Sequence, residues 1–278
     1  MAEITAAMVK ALRDETQLPM MECKQALADC NGDIEAAKQK LREAGKSFMS
    51  ARQDRATEEG RIAIYTGPTA GAIVELQVES APVANNEDVI QLVKDLVQQL
   101  ATGPGAASAD ELWSQPVPSQ PGKTLQEVKD DLENKIREVF RLARIARIEG
   151  ATGGYVHHDG RSGVLIQLEG SNDELAKKIG MQIVSMRPLA VTKEDLDPAV
   201  VAKEKETQVE RARQEGKPEN IIEKMIEGRM RNFYAETVLE EQPFILDDKQ
   251  TVGAVAKEGG LQIKSFTVWK VGEGGSAS

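Results

Sequence analysis

Apolar residues in the first 45 positions return every three or four residues, the interval that lines one face of a helix. Ile4, Met8, Val9 and Leu12 form one such set. A second follows Pro19, a residue suited to a first helical turn, and holds Met20, Met21, Cys23, Ala26 and Leu27. The third begins where Asn31-Gly32-Asp33 supplies a turn and an N-cap, and it carries Ile34, Ala37 and Leu41 up to Gly45, where it is expected to stop. The pattern predicts a bundle of three helices, followed over residues 46–60 by a charged linker with few apolar anchors.

The interval then shortens to two. Ile62 and Ile64, then Val74, Leu76 and Val78, alternate across the turn sequence Gly67-Pro68-Thr69-Ala70-Gly71, which predicts a β-hairpin. A helix is expected from about residue 86 to 101, with Val89, Leu92, Val93, Leu96 and Leu100 on its inner face. Residues 102–122 are rich in Pro, Gly, Ser and Ala and predict an exposed connection. From 124 to about 148 the apolar positions step by three or four again, through Leu125, Val128, Leu132, Ile136, Val139, Ala143 and Ala146, as in one long helix.

After Gly150 the hairpin-then-helix pattern returns. Strands are expected at 154–157 and 164–168, with a turn between them and a helix over 172–186, offset from the first set by about 90 residues, as in an internal duplication. Residues 197–235 are highly charged and predict two antiparallel helices joined at Gly216-Lys217-Pro218, the second with Ile221, Ile222, Met225, Ile226, Met230 and Phe233 on one side. A short helix near 251–258, a strand through Leu261, Ile263, Phe266 and Val268, and a polar tail close the chain. The fold class is α+β: a three-helix module over residues 1–55, one subdomain over 56–150 and another over 151–278, the latter containing the helical hairpin.

Composition narrows the function. Lys and Arg number 35 against 45 Asp and Glu, a net charge of −10 that repels phosphate backbones and argues against general nucleic-acid binding. Aromatics are only 4% of the chain, so its cores must be aliphatic. No apolar run approaches the ~20 residues needed to span a bilayer, and the opening Met-Ala-Glu-Ile lacks the features of a signal peptide, so a cytoplasmic protein is expected. Cys23 and Cys30 lie about 10 Å apart along one helix axis, too far for a disulfide, and are expected to be small buried thiols.

Candidate chemistry is sparse. Gly122-Lys123-Thr124 looks like the end of a phosphate-binding loop, but the glycine needed five residues earlier is Val117, and Pro118 and Pro121 lack N–H donors; a helix start is the simpler reading. His157 and His158 are the only histidines, and adjacent strand residues point to opposite faces, so no metal site is expected. Neither a Gly-x-Ser-x-Gly setting nor a nucleophile paired with a base is present, so neither an enzyme nor a cofactor is expected. Arg137, Arg141, Arg144 and Arg147 form a basic stripe if the long helix is real, either a face for an acidic partner or RNA, or one paired with nearby Glu.

Three stretches carry a family resemblance. Leu12-Arg13-x-x-Thr16 with Met20-Met21-x-Cys23-Lys24-x-Ala26-Leu27 and Asn31-Gly32-Asp33 is the first. Gly216-Lys217-Pro218 with Ile222-Glu223-Lys224-Met225-x-Glu227-Gly228-Arg229-Met230 and Phe233 is the second. Gln242-Pro243-Phe244 with Lys249-x-Thr251-Val252-Gly253 is the third. In this order they resemble translation elongation factor Ts, across nearly the whole chain.

The resemblance implies a ubiquitin-associated-like N-terminal module, two α+β subdomains with antiparallel sheets, and an inserted coiled-coil hairpin. It also implies a guanine nucleotide exchange factor that grips elongation factor Tu and promotes GDP release, with no bound nucleotide, cofactor or metal of its own. The module, with Met20 and Met21, would dock on the partner's nucleotide-binding domain, and His157 in Tyr155-x-His157 would contact its helices. The family's Thr-Asp-Phe-Val-Ala loop, which disturbs the partner's magnesium site, falls on Ser80, Ala81, Pro82, Val83 and Ala84. Val-Ala is kept here; the carboxylate and phenyl wedge are not. Val271-Gly272-Glu273-Gly274 is followed by four residues, where some members carry another helix on the partner. An elongation factor Tu-binding scaffold or chaperone-like paralogue with weak or no exchange activity is the alternative, and the sequence is compatible with a homodimer.

Overall fold

In the computed structural model, residues 3–216 and 218–273 are described, with residues 219 and 220 described by their backbone alone. The opening Met1-Ala2, Lys217 of the hairpin turn, and the tail from Gly274 lie outside the described residues.

Helices α1 (Ala6–Thr16), α2 (Met20–Asp29) and α3 (Ile34–Ser50) form the expected bundle. Its interior is Val9, Leu12, Leu18, Cys23, Ala26, Leu27, Ala37 and Leu41. Asp33 caps α3 by accepting from the Ala36 N–H at 3.0 Å. Cys23 is buried and Cys30 half-buried, and both are free thiols. Gly45 does not stop α3, which runs on to Ser50. A Cβ at Gly45 would sit 2.4 Å from Asn134 Cγ, so the missing side chain serves close helix packing rather than termination.

Strands β1 (Glu59–Tyr65) and β2 (Ala70–Val78) make the predicted hairpin. A one-turn helix α4 (Ala81–Ala84) then precedes α5 (Glu87–Thr102), which Asn86 caps by accepting from the Asp88 N–H at 2.9 Å. The expected open connection over 102–122 is instead folded onto the body. It contains α6 (Ala109–Trp113), buries Leu112 and Trp113, and is tied down by Gln115 donating to the Gly105 carbonyl at 2.6 Å and Ser119 donating to Asp95 at 2.6 Å.

The long helix is two elements. Helix α7 (Leu125–Ile136) ends at Arg137, whose φ of 67° is left-handed, and the chain continues as β3 (Arg141–Glu149), giving a sheet ordered β1-β2-β3. Residues 139–148 repeat two apolar residues and one Arg, a three-residue interval that mimics a helix, while Val139, Phe140, Ile145 and Ile148 are β-favouring types. The arginine stripe disappears with the helix. Arg137 pairs with Glu22 at 2.7 Å, and Arg144 with Glu75, which is 1% exposed. Arg141 and Arg147 donate to the Gln53 and Ala101 carbonyls.

The second set comprises β4 (Thr152–Val156), β5 (Ser162–Glu169) and α8 (Asp173–Met186). Helices α9 (Pro198–Gln214) and α10 (Glu219–Thr237) follow as the expected antiparallel pair, packed through Ala212, Ile222, Ile226 and Met230. Ile221, assigned to that face, points outward at 45% exposure. A small hairpin, β6 (Pro243–Phe244) and β7 (Asp247–Thr251), was not foreseen. Helix α11 (Val252–Glu258) and β8 (Gln262–Lys270) finish the fold, β8 pairing antiparallel with β5 in the order β4-β5-β8. The three-residue step from Ile263 to Phe266 is a bulge: Ile263 opposes Leu168, and Ser265 already opposes Gln167.

The residues group into two compact units. Among the described residues, one holds 3–63, 72–147 and 271–273; the other holds 64–71 and 148–270. Turn residues 64–71 join the second unit through Gly67 N–H to Thr152 Oγ1 at 3.1 Å and Gly150 N–H to the Thr69 carbonyl at 2.8 Å. In the first unit, the Gly272 N–H donates to Glu75 at 3.0 Å.

Candidate functional site

Sequence reasoning singled out residues 80–84, the pair Met20 and Met21, and His157. The first two groups lie in the first unit and His157 in the second. Residues 80–84 are α4 with its N-cap. Ser80 is extended, Ala81 and Pro82 are exposed, Val83 is half-buried and Ala84 is buried. Pro82 sits in the first turn, where its missing N–H costs nothing. The segment therefore presents Ala81 and a rigid pyrrolidine ring on a single helical turn.

That turn is held from outside. Serine at an N-cap ordinarily accepts a backbone hydrogen bond from its own helix. Ser80 makes none. Its hydroxyl donates instead to Glu138 Oε1 at 2.6 Å, and its N–H donates to Glu138 Oε2 at 3.1 Å. The grip is reciprocal, since the Val139 N–H donates to Glu79 Oε1 at 2.9 Å while Glu79 Oε2 pairs with Arg55 at 2.8 Å. At the far end, Arg61 donates to Asn85 Oδ1 at 3.0 Å and to the Ala84 carbonyl at 3.4 Å.

Met20 and Met21 open α2 and are 54% and 72% exposed. Large apolar side chains so open to water are a poor investment for a monomer alone and suit a contact surface. Glu22, the next residue, binds Arg137. The Arg137 guanidinium lies 4.6 Å from the Phe48 ring centre and that of Arg52 lies 3.8 Å from it. Residues 137 and 138 therefore reach, side by side, the base of α2 and the start of α4.

His157 is half-buried just past the end of β4, and its Nδ1 is 3.1 Å from the Tyr155 hydroxyl. Tyr155 is itself fixed against α8, because Gly180 allows an approach in which an added Cβ would be 2.7 Å from Tyr155 Cβ. The expectation that His157 and His158 face apart fails: the strand ends at Val156, alternation no longer applies, and the rings stand 4.3 Å apart and tilted by 57°. Among the described residues no group of three or more His, Cys, Asp or Glu could hold a metal ion. Nor is any described helix long and apolar enough to cross a membrane.

Gly122-Lys123-Thr124 begins α7. Thr124 Oγ1 accepts from the Glu127 N–H at 3.2 Å, and Glu127 accepts from the Thr124 N–H at 2.8 Å, a bond that holds the Glu127 carboxyl below the usual carboxylate range.

Sequence reasoning missed Glu79, Glu138 and Arg61. Nothing local marks Glu138, which lies 58 positions from Ser80; only the pairing of α7's exit with β2's end brings them together.

Residues 81–273 match the family model described as Elongation factor TS. The chain is similar to the protein named Elongation factor Ts in Hyphomonas neptunium, 40% identical over 285 residues, covering 99% of this chain and 94% of that one. Its similarity to the protein of the same name in Azoarcus sp. is 39% over 282 residues, with coverage of 99% and 92%. For that in Ruegeria pomeroyi it is 38% over 277 residues, with coverage of 98% and 93%.

Proposed function

Since this chain belongs to the elongation factor Ts family, we propose that it is a guanine nucleotide exchange factor, binding elongation factor Tu in its GDP form in the cytoplasm and promoting GDP release during translation elongation. It acts by binding alone; no bond is made or broken. An exchange factor works only if it interacts more favourably with the nucleotide-poor partner than with the loaded one, and by linkage bound GDP weakens the exchange factor's affinity for that partner to the same degree.

The observation that carries this reading is the turn over residues 80–84, gripped at both ends and exposed at Ala81 and Pro82. A segment that must displace another protein's groups has to be stiffer than what it pushes. Met20, Met21 and His157 supply further contacts, and the partner's magnesium site is what the turn disturbs. Tested directly, elongation factor Tu carrying labelled GDP releases its label faster with the purified chain than without it.

One observation favours a second reading. Ser80, Ala81 and Pro82 bring neither a carboxylate nor a phenyl ring to the turn, which suits a scaffold that holds elongation factor Tu without exchange. A stable complex with unchanged label release would select it.

A further inference from the structure

A four-residue helix cannot hold itself, because nucleation fixes several dihedral angles for one hydrogen bond. The order of α4 must come from its neighbours. Ser80 offers both donors, N–H and O–H, to the two oxygens of one carboxylate, and hydrogen bonds to an ionised acceptor are the stronger kind. Glu79 and Val139 close the reciprocal bond, and the Phe140 N–H donates to Glu133 at 2.7 Å, so the backbone that follows Glu138 is itself hydrogen-bonded in place. Arg137 in the adjacent position grips Glu22 beside Met20 and Met21, and Arg52 donates to the Arg137 carbonyl at 3.4 Å. Both candidate contact elements in the first unit are thus referenced to two consecutive residues.

We propose that Glu138 is a positioning residue for nucleotide exchange: its carboxylate pre-orders the residue 80–84 turn, and Arg137 beside it sets that turn in register with α2. The proposal rests on the exchange reading above. Ordering a mobile segment on contact consumes free energy that would otherwise act on the partner. With Glu138 in place that cost is met during folding, and the small Pro82 can act where a loose loop would need a larger wedge.

The test compares wild type, Glu138→Ala, Ser80→Ala and Ser80→Thr with elongation factor Tu carrying labelled GDP. Release is read at saturating chain, the dissociation constant separately, and amide hydrogen exchange over residues 80–85 in the free chain. Loss of a charge-assisted pair predicts release at saturation about tenfold slower for Glu138→Ala, with the dissociation constant changed by less than about threefold. Amide exchange over the turn should quicken. Ser80→Ala should fall between, and Ser80→Thr, which keeps the hydroxyl, should restore the rate; a merely structural role would not split rate from affinity in this way. Should Glu138→Ala fail to fold, the Ser80 pair decides the matter alone. Wild-type release at saturation by either alanine variant would overturn the proposal. Wild-type chain that leaves GDP release unchanged would instead overturn the exchange reading, and the positioning role with it, whatever the amide exchange.

Discussion

The hairpin-and-helix set β1, β2 and α5 and its counterpart β4, β5 and α8 share their order of elements and differ at one joint. In each, the middle strand of a three-stranded sheet is buried along most of its length: Ile73, Val74 and Leu76 in β2; Val164, Leu165 and Ile166 in β5. From β5 the chain enters α8 through residues 170–172, with Asn172 as cap. From β2 it takes residues 79–86, and into that longer joint it inserts α4. The second set places its candidate contact elsewhere, at the β4–β5 turn with His157. The two candidate contacts thus lie at opposite ends of their hairpins, and only the longer joint has room for a helical turn.

If the two scaffolds are equivalent, emptying either central strand should cost alike. Leu76→Ala and Ile166→Ala, both 0% exposed, should each lose about 2–5 kcal/mol in denaturant unfolding. A loss under about 1 kcal/mol at one site alone would break the equivalence. Next in size is Gly180→Ala, a close approach specific to the second set: overpacking against Tyr155 should cost about 1–3 kcal/mol and shift the His157 ring resonances. The joint is probed by Pro82→Phe. A phenyl ring on the held turn should speed GDP release about tenfold, each decade corresponding to ~1.4 kcal/mol of barrier, and an unchanged rate would mean the wedge is dispensable. Smallest is His157→Ala, whose half-buried ring should weaken elongation factor Tu binding about threefold by calorimetry, since a single hydrogen-bonding side chain contributes on the order of 1 kcal/mol net.

Much of this fold is legible in order. The three N-terminal helices, both hairpins and the charged helical pair follow from intervals of 3.6 and 2 and from caps such as Asp33 and Asn86. What failed had physical causes. Residues 139–148 repeat every three residues, close to the helical interval, and the stop before them is a left-handed arginine rather than a glycine. Gly45 reads as punctuation in the sequence but marks packing against Asn134, a contact with no local trace. The composition of residues 102–122 suits a loop, and only the burial of Leu112 and Trp113 shows it folded down. At the candidate site the positions of residues 80–84 could be read by resemblance. The grip of Glu138, Glu79 and Arg61 could not, because it depends on strands and helices meeting in space.

The path of the backbone between the two compact units has a consequence for how such a protein can change. Since the chain passes from one to the other at 63–64, 71–72, 147–148 and 270–271, no single scission or gene truncation yields either half intact. Neither can be swapped between homologues as a cassette, and recombinants joined near residue 150 should inherit a turn over 64–71 matched to the wrong parent's Thr152 and Gly150.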